Sequence, residues 1–223
     1  GGGVGWVIPN SEMDNFHRCP CLWWLKDRLW IKPVGERLPL IMGRIVDRVM
    51  GEWLTNDGLI EHLPEQALAL LQFYDAEVDK WRKEKFQAGW LDDFEPLVVS
   101  TKDAIRAWLE KYGAVEEKVF AVQPKLSGEV HAKPDYLIEM PDGRLRVRER
   151  KLISPFADLD DEMVKYELGF QPLCYAAQVE KVMEREVECV EFEFLVRSAP
   201  QRGRYKALPA KAERREVFVD HWK

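Results

Sequence analysis

Residues 133–151 read KPDYLIEMPDGRLRVRERK and contain two apolar runs separated by the tripeptide Pro141-Asp142-Gly143. A Pro-Asp-Gly turn between apolar runs is a strong β-hairpin signal, because these residues adopt the turn backbone at little cost. Alternate residues of a strand share one face. In the second run, one face therefore comprises Leu145, Val147, Glu149 and Lys151. The pattern predicts paired strands over residues 130–140 and 144–153.

Charged residues on this hairpin indicate a site. Asp135 lies on the first strand, and Glu149 and Lys151 lie at the end of the second on its apolar face. Charges on a core-facing strand are costly to bury unless they are paired or bind a metal ion. Two carboxylates on adjacent strands can ligate Mg²⁺, and a nearby lysine suits phosphodiester hydrolysis. The alternative is a solvated Glu149–Lys151 ion pair, which is common on strands.

The elements around the hairpin predict an α+β fold with a mixed central sheet flanked by helices. Apolar periodicity predicts helices over residues 11–29, 39–54, 64–86 and 101–112, which form a helical N-terminal layer. Two further strands are predicted over 115–122 and 187–196. A helical stretch over 160–183 is disturbed by Gly169 and Pro172. There is no βαβα alternation, so a Rossmann sheet is excluded.

Composition limits the function classes. The chain has 223 residues, with 33 Lys and Arg against 39 Asp and Glu, which argues against nucleic-acid binding by bulk charge. No apolar run approaches the roughly 20 residues of a membrane span, and the first residues lack a signal-peptide pattern. Four cysteines are too few for a secreted disulfide scaffold. We therefore expect a cytoplasmic protein with no membrane association.

The order of short motifs resembles the PD-(D/E)xK nuclease superfamily, in particular its RecB-like branch. Pro134-Asp135 followed by Glu149-Arg150-Lys151 is similar to the superfamily signature. Further similarities to the RecB-like branch are Gln171-x-x-x-Tyr175, a helix with Ser11 and Phe16 leading into Cys19-Pro20, and Gly43-x-x-x-Asp47. That branch has His where this chain has Asp47.

The resemblance implies a restriction-endonuclease-like core with Asp135, Glu149 and Lys151 as catalytic residues. Asp135 and Glu149 would ligate Mg²⁺ or Mn²⁺, and Asp47 would complete a three-carboxylate site, because a carboxylate suits these ions. Its alternative is a surface acid beside two arginines. Gln171 and Tyr175, one helical turn apart, would line the cleft; their alternative is a helix face packed on the sheet.

Several relatives hold an iron–sulfur cluster by one cysteine before the core and three after it. Here Cys19 could be the first, but beyond Tyr175 only Cys189 remains, so we expect no cluster. We expect small buried side chains at all four positions, Cys19, Cys21, Cys174 and Cys189.

The second strand carries a row of four arginines on the face opposite Glu149, comprising Arg144, Arg146, Arg148 and Arg150. Residues 201–223 hold seven basic and three acidic residues, whereas residues 152–193 hold eleven acids and three bases. Two alternatives follow: Arg148 and Arg150 contact DNA in the cleft, or the row pairs with the acids of 152–193 across the sheet. The basic tail likewise allows either phosphate contact or solvation.

The resemblance predicts a single nuclease domain over residues 11–223, after a first segment, 1–10, that is a disordered end or a cloning remnant. The domain comprises a helical layer (11–112), a catalytic β-β-β-α-β core (113–196) and a basic tail (197–223). The expected activity is metal-dependent DNA hydrolysis with little sequence specificity, as an exonuclease on single-stranded DNA or DNA ends. Repair, recombination or phage DNA processing would be its setting, with a helicase or recombination protein as partner. The alternatives are a structure-specific endonuclease and a non-catalytic DNA-binding or scaffold subunit.

Overall fold

A computed structural model of the protein describes residues 8–9, 38–55, 63–85, 91–113, 117–126, 130–204 and 206–218. The described helices are α1 (Leu38–Thr55), α2 (Leu63–Lys85), α3 (Leu91–Tyr112), α4 (Leu159–Glu167) and α5 (Phe170–Met183). The described strands are β1 (Ile8–Pro9), β2 (Lys118–Val122), β3 (Val130–His131), β4 (Tyr136–Glu139), β5 (Leu145–Ile153), β6 (Val187–Val196) and β7 (Lys211–Phe218). The helix predicted over 11–29, with its Ser11, Phe16 and Cys19-Pro20 motif, lies outside these residues.

A mixed five-stranded sheet forms the centre of the fold, in the order β2-β4-β5-β6-β7. The predicted hairpin is β4–β5, antiparallel, with Tyr136 opposite Arg148 and Glu139 opposite Leu145. Strand β6 runs parallel to β5, and β2 and β7 are antiparallel to their neighbours. Strands β1 and β3 form a separate parallel pair. The α+β class with a mixed sheet is thereby confirmed, and the arrangement is that of a restriction-endonuclease-like core.

Helices α1, α2 and α3 cover one face of the sheet. Their apolar residues recur at helical spacing and pack together, with Met42, Val46 and Val49 of α1 almost completely buried. Leu195 of β6 and Ala212 of β7 join this core from the sheet. Helix α3 begins ten residues before its predicted start at Thr101 and continues through Pro96. A single proline removes only one backbone hydrogen bond, and the packing of the buried face outweighs that loss.

Helices α4 and α5 cover the opposite face and connect the parallel strands β5 and β6, as a parallel pair requires. The predicted disturbance separates the two helices at Gly169. A Cβ there would lie 2.9 Å from the carbonyl oxygen of Lys165, so the close approach of the chain requires glycine. Pro172 falls in the first turn of α5, where its missing N–H is tolerated.

The strand pattern differs from the prediction in two places. The run predicted as one strand over 130–140 is interrupted between β3 and β4 at Pro134, which cannot donate to a sheet ladder. The segment expected to be a basic tail contains β7, an edge strand paired along its length with β6. Its pattern did not reveal it, because the four consecutive charged residues 213–216 interrupt the apolar alternation typical of a strand. In the described part of the chain, every helix is too short or too polar to cross a bilayer.

Candidate active site

The hairpin brings Asp135 and Glu149 together at one edge of the sheet. Asp135 directly precedes β4, and Tyr136 pairs with Arg148, so the two carboxylates lie on neighbouring strands at the carboxyl end of β5. The backbone N–H of Arg150 donates to Asp135 Oδ2 at 2.6 Å. This bond fixes the Asp135 side chain against β5.

Glu149 has one carboxylate oxygen anchored and the other without a partner. Lys151 Nζ and Gln171 Nε2 both donate to Glu149 Oε1, at 2.8 Å and 2.9 Å. Glu149 Oε2 is buried and accepts no hydrogen bond from any residue that the structure describes. A buried carboxylate oxygen without a donor is costly, and in native proteins it often marks the position of an ion or water. The side chain therefore has a free, fixed ligand atom.

Helix α5 supports Glu149 through residues one turn apart. Gln171 Nε2 also lies 2.9 Å from Tyr175 Oη, and the Tyr175 hydroxyl donates to the carbonyl oxygen of Lys133 at 3.3 Å. Lys133 immediately precedes Pro134-Asp135, so Tyr175 ties α5 to the segment that carries Asp135. The predicted Gln-x-x-x-Tyr pair thus connects both carboxylate-bearing strands.

Tyr166 on α4 is a site neighbour that the sequence did not indicate. Its ring lies 5.4 Å from Lys151 Nζ and stacks on Phe192 at 4.4 Å between centroids. The aromatic face holds the ammonium by a cation–π contact. Because Tyr166 matches no motif and its position depends on the packing of α4 on the sheet, no local pattern could have identified it.

Asp47 on α1 reaches the same site from the opposite layer, since α1 packs against β5. Burial, followed by repulsion from Asp135, raises the pKa of Asp47 from 3.8 to about 7. Burial likewise raises the pKa of Glu149 to about 7, although Lys151 lowers it, and burial raises the pKa of Asp135. No described residue donates a hydrogen bond to the Asp47 carboxylate. The three carboxylates therefore repel one another at a position where little solvent screens their charges.

This donor set fits a hard divalent cation. Within the described residues, no three His, Cys, Asp or Glu side chains are grouped closely enough to hold an ion by themselves. Mg²⁺ does not require such a cage, because it usually keeps several waters and takes one or two carboxylates together with substrate phosphates. A positive charge at this point would pair with the unpartnered Glu149 oxygen. It would also stabilise the ionised forms of the neighbouring carboxylates and so lower their raised pKa values.

A cleft of about 480 Å³ opens on the Asp47 side of the site. Asp47 lines it together with Gln123 and Lys133, the residue whose carbonyl accepts from Tyr175. Gln123 has a φ of 43°, in the left-handed region, and its N–H donates to the carbonyl of Asp135 at 2.7 Å. This strained residue thus closes the backbone around Asp135, and of the three carboxylates Asp47 is the one found in the described lining of the cleft.

The arginine row is paired with acids across the sheet, the second of the two alternatives. Arg148 is completely buried and its guanidinium donates to Glu117 and Glu191. Arg150 is buried as well and donates to Glu193 Oε2 at 2.8 Å. Because both guanidinium groups point into the protein, contact with DNA from Arg148 or Arg150 would require these ion pairs to open.

The comparisons with known proteins agree with this geometry. A sequence profile described as the PD-(D/E)XK nuclease superfamily matches residues 10–222, nearly the whole chain. No curated protein matches the chain. Cys174 and Cys189 form no disulfide with a described residue; Cys189 is buried as expected and Cys174 is half-buried, whereas Cys19 and Cys21 lie outside the described residues.

Proposed function

The chain belongs to the PD-(D/E)XK nuclease superfamily, and from that membership and the site geometry we propose that it is a metal-dependent deoxyribonuclease. Members of this superfamily are generally nucleases and typically use divalent metal ions. The observation that carries the proposal is the buried, unpartnered Oε2 of Glu149 beside two further carboxylates. A purely structural ion pair with Lys151 would not leave that oxygen without a donor.

Asp135, Glu149 and Asp47 are the residues that would hold Mg²⁺ or Mn²⁺. When bound, such an ion supplies Lewis-acid activation of water and of the scissile phosphate. The protein contributes by fixing the ligands in advance. The backbone of Arg150 orients Asp135, and Lys151 with Gln171 orients Glu149.

Lys151 is the proposed catalytic lysine. Burial lowers its pKa, but Glu149 and Tyr166 raise it more, so the net shift is upward and the ammonium keeps its proton at neutral pH. Its side chain is 22% exposed, which leaves Nζ accessible to a phosphate while it bonds Glu149. A fixed ammonium beside the scissile group stabilises the negative charge that develops on the phosphate oxygens.

Gln171 and Tyr175 are proposed as positioning residues. Gln171 donates to Glu149, and Tyr175 donates to the backbone next to Asp135. Neither is needed to carry charge. Their contribution is to hold the two carboxylates at a constant separation, which a metal-binding site requires.

The finer proposal is an exonuclease with little sequence specificity, acting on single-stranded DNA or DNA ends. Its support is the likeness of the motifs to RecB-like nucleases and the lack of a helix-turn-helix or zinc-finger pattern in the sequence. Repair, recombination or phage DNA processing, with a helicase or recombination protein, is the proposed setting. Retention of Asp135, Glu149, Lys151 and Gln171 together disfavours the alternative of a non-catalytic scaffold subunit.

The test is degradation of labelled linear and circular DNA, single- and double-stranded, with Mg²⁺ or Mn²⁺. We expect Lys151→Ala to abolish cleavage while circular dichroism shows a folded protein. Lys165→Ala is the matched control, because Lys165 is an exposed lysine on α4 whose ion pair within the described residues is with Glu162. Full activity in Lys151→Ala would refute the assignment, and cleavage of circular single strands would favour an endonuclease.

Binding of the metal is tested separately by isothermal titration with Mn²⁺. Asp47→Ala is expected to weaken binding, since it removes one of three ligands. Unchanged binding would show that Asp47 is only a neighbour of the site.

A further inference from the structure

A second cavity lies beyond the carboxyl ends of the parallel strands β5 and β6. It has a volume of about 430 Å³ and is lined by the segments that follow the two strands, including Ser154, Phe156 and Arg197, and by α3. Crevices at this edge of parallel strands are common ligand sites, because the connecting loops diverge there. Its described lining contains none of the residues of the carboxylate site.

The charged residues that line this cavity are all basic. They are Arg197, Arg202 and Lys206, and no acidic residue is found among its described lining. Within the described residues, no carboxylate lies within 4.0 Å of any of these three cations. Ser198, the residue after Arg197, donates its hydroxyl to the carboxylate of Asp103 at 2.7 Å. In a chain with six more acids than bases, three cations around one cavity with no carboxylate partner in the described part of the chain favour an anionic ligand.

Arg197 differs from the arginines of β5 in this respect. Each of those pairs with at least one carboxylate, whereas the Arg197 Nε–H donates to the carbonyl of Ile153, at 3.4 Å, and has no carboxylate partner among the described residues. Burial without a compensating acid lowers the pKa of Arg197. A half-buried guanidinium that lacks an internal carboxylate is expected to bind an external anion such as a phosphate.

Phe156 provides an apolar wall of this cavity. Its side chain is 78% exposed, among the highest values for a large apolar residue in the described chain. It follows Lys151 by five residues, and its N–H donates to the hydroxyl of Ser154, which fixes the turn. An exposed, positioned aromatic ring next to cations is the usual arrangement for stacking an unpaired base while its phosphates are neutralised.

We propose that this cavity binds unpaired nucleotides of the DNA substrate, with a base stacked on Phe156 and phosphates contacted by Arg197, Arg202 and Lys206. This inference rests on the proposed nuclease function and names its substrate as single-stranded DNA. A duplex would bind less well, because its bases are stacked within the helix and offer no free face to the ring.

The cavity lies within reach of the carboxylate site. Ser154 follows Lys151 by three residues on an extended strand, a distance of about 10 Å. At roughly 3.4 Å per stacked nucleotide, that distance corresponds to about three nucleotides. A strand held at Phe156 therefore passes the Glu149–Lys151 pair a few phosphates away.

The experiment measures binding of a labelled oligothymidine and of a duplex of equal length in EDTA by fluorescence anisotropy. We expect Phe156→Ala to weaken binding of the single strand by about tenfold, as lost base stacking implies, with little effect on the duplex. Phe156→Trp should restore binding. Phe218→Ala is the matched control. Phe218 is an exposed aromatic at the end of β7, paired with Cys189 near the start of β6 and so far from the cavity.

The cations are tested with the double variant Arg202→Ser/Lys206→Ser, because both side chains are exposed and their loss leaves the fold intact. We expect the slope of log affinity against log salt to decrease by about 1.4 for single-stranded DNA, while Phe156→Ala leaves the slope unchanged. Equal binding by wild type and Phe156→Ala, or equal losses for single strand and duplex, would overturn the inference.

Cleavage assays separate this inference from the proposed function. Lys151→Ala should fail to cleave the single strand, while its binding in EDTA should keep the preference for the single strand over the duplex. Phe156→Ala should cleave with a raised KM. If wild type does not cleave DNA with any divalent ion, the proposed function fails while the binding results still decide the role of the cavity.

Discussion

Two buried charged clusters lie on opposite faces of β5, and they are balanced differently. The first is the carboxylate site, comprising Asp47, Asp135 and Glu149 with Lys151. The second is the arginine network, comprising Arg148, Arg150 and Arg214 with Glu117, Glu191 and Glu193. Glu149 and Glu193 are both buried, yet the pKa of Glu149 rises to about 7 and that of Glu193 falls to about 2.

The difference arises from the partners and not from burial. Burial alone would raise the pKa of Glu193, but Arg150, Arg148 and Arg214 lower it more strongly. Glu193 also accepts hydrogen bonds from Trp108 and Tyr136, at 2.7 Å and 2.9 Å. In the carboxylate site, the described donors to the three acids are Lys151, the side-chain amide of Gln171 and one backbone N–H. A buried cluster that is balanced internally serves stability, whereas an unbalanced one indicates a site for an external charge.

The largest effect is expected from Glu193→Ala, which removes the central acid of the arginine network. Arg150, Arg214, Trp108 and Tyr136 would all lose an acceptor, so the free energy of unfolding should fall by about 3–5 kcal/mol. Urea unfolding followed by circular dichroism measures this. Glu162→Ala, which breaks an exposed pair on α4, should cost less than about 1 kcal/mol. Comparable losses in the two variants would show that the network is not a structural core.

The next effect is stabilisation of the carboxylate site by a cation. At a concentration of Mn²⁺ about 100 times its Kd, the wild type should gain about 2.7 kcal/mol, or roughly 5–10 °C in Tm. Glu149→Gln should gain much less, because it loses the unpartnered carboxylate oxygen. Differential scanning calorimetry in Mn²⁺ and in EDTA provides the comparison, and equal shifts in both proteins would place the ion elsewhere.

A smaller effect, of opposite sign to Glu193→Ala, is expected from Asp47→Asn in EDTA. The pKa of Asp47 is about 7 in the folded protein against 3.8 ordinarily, so the wild type loses stability as pH rises through that interval. The full shift corresponds to about 4 kcal/mol, but part of it comes from repulsion by Asp135 and Glu149, which share the titration. At pH 8 the variant should therefore be about 1–2 kcal/mol more stable than the wild type, and the difference should approach zero near pH 4. Urea unfolding at pH 4, 6 and 8 measures it. A less stable variant at pH 8 would mean that the carboxylate is compensated.

The smallest effect is expected from Tyr175→Phe, which removes the hydroxyl that bonds the Lys133 carbonyl and lies next to Gln171. Loss of this hydrogen bond should lower the free energy of unfolding by about 1 kcal/mol. The rate of cleavage should fall by less than about tenfold, because the carboxylates and Lys151 remain. Single-turnover kinetics would show it, and a complete loss of activity would mean that Tyr175 does more than position its neighbours.

Much of the candidate site could be predicted from the sequence, because its residues lie on one hairpin and one helix. The Pro-Asp-Gly turn and the alternation along β5 place Asp135, Glu149 and Lys151 near one another. Spacing of four residues puts Gln171 and Tyr175 on one face of α5. Strand β7 was not predicted, since its edge position leaves it half polar and its sequence resembles that of a solvated tail.

The sequence by itself therefore determined the hairpin, the helices and the side of β5 on which each charge lies, because the backbone period of two assigns alternate residues to opposite faces. Only the tertiary structure decided what covers each face. Packing of α1 brought Asp47 to within electrostatic range of Glu149, about a hundred residues away in the chain. Pairing of β6 with β5 placed Glu191 and Glu193 beside the arginine row, and packing of α3 added the Trp108 ring. Local periodicity sets the direction of a side chain, whereas its partners depend on contacts between distant segments, which no local pattern encodes.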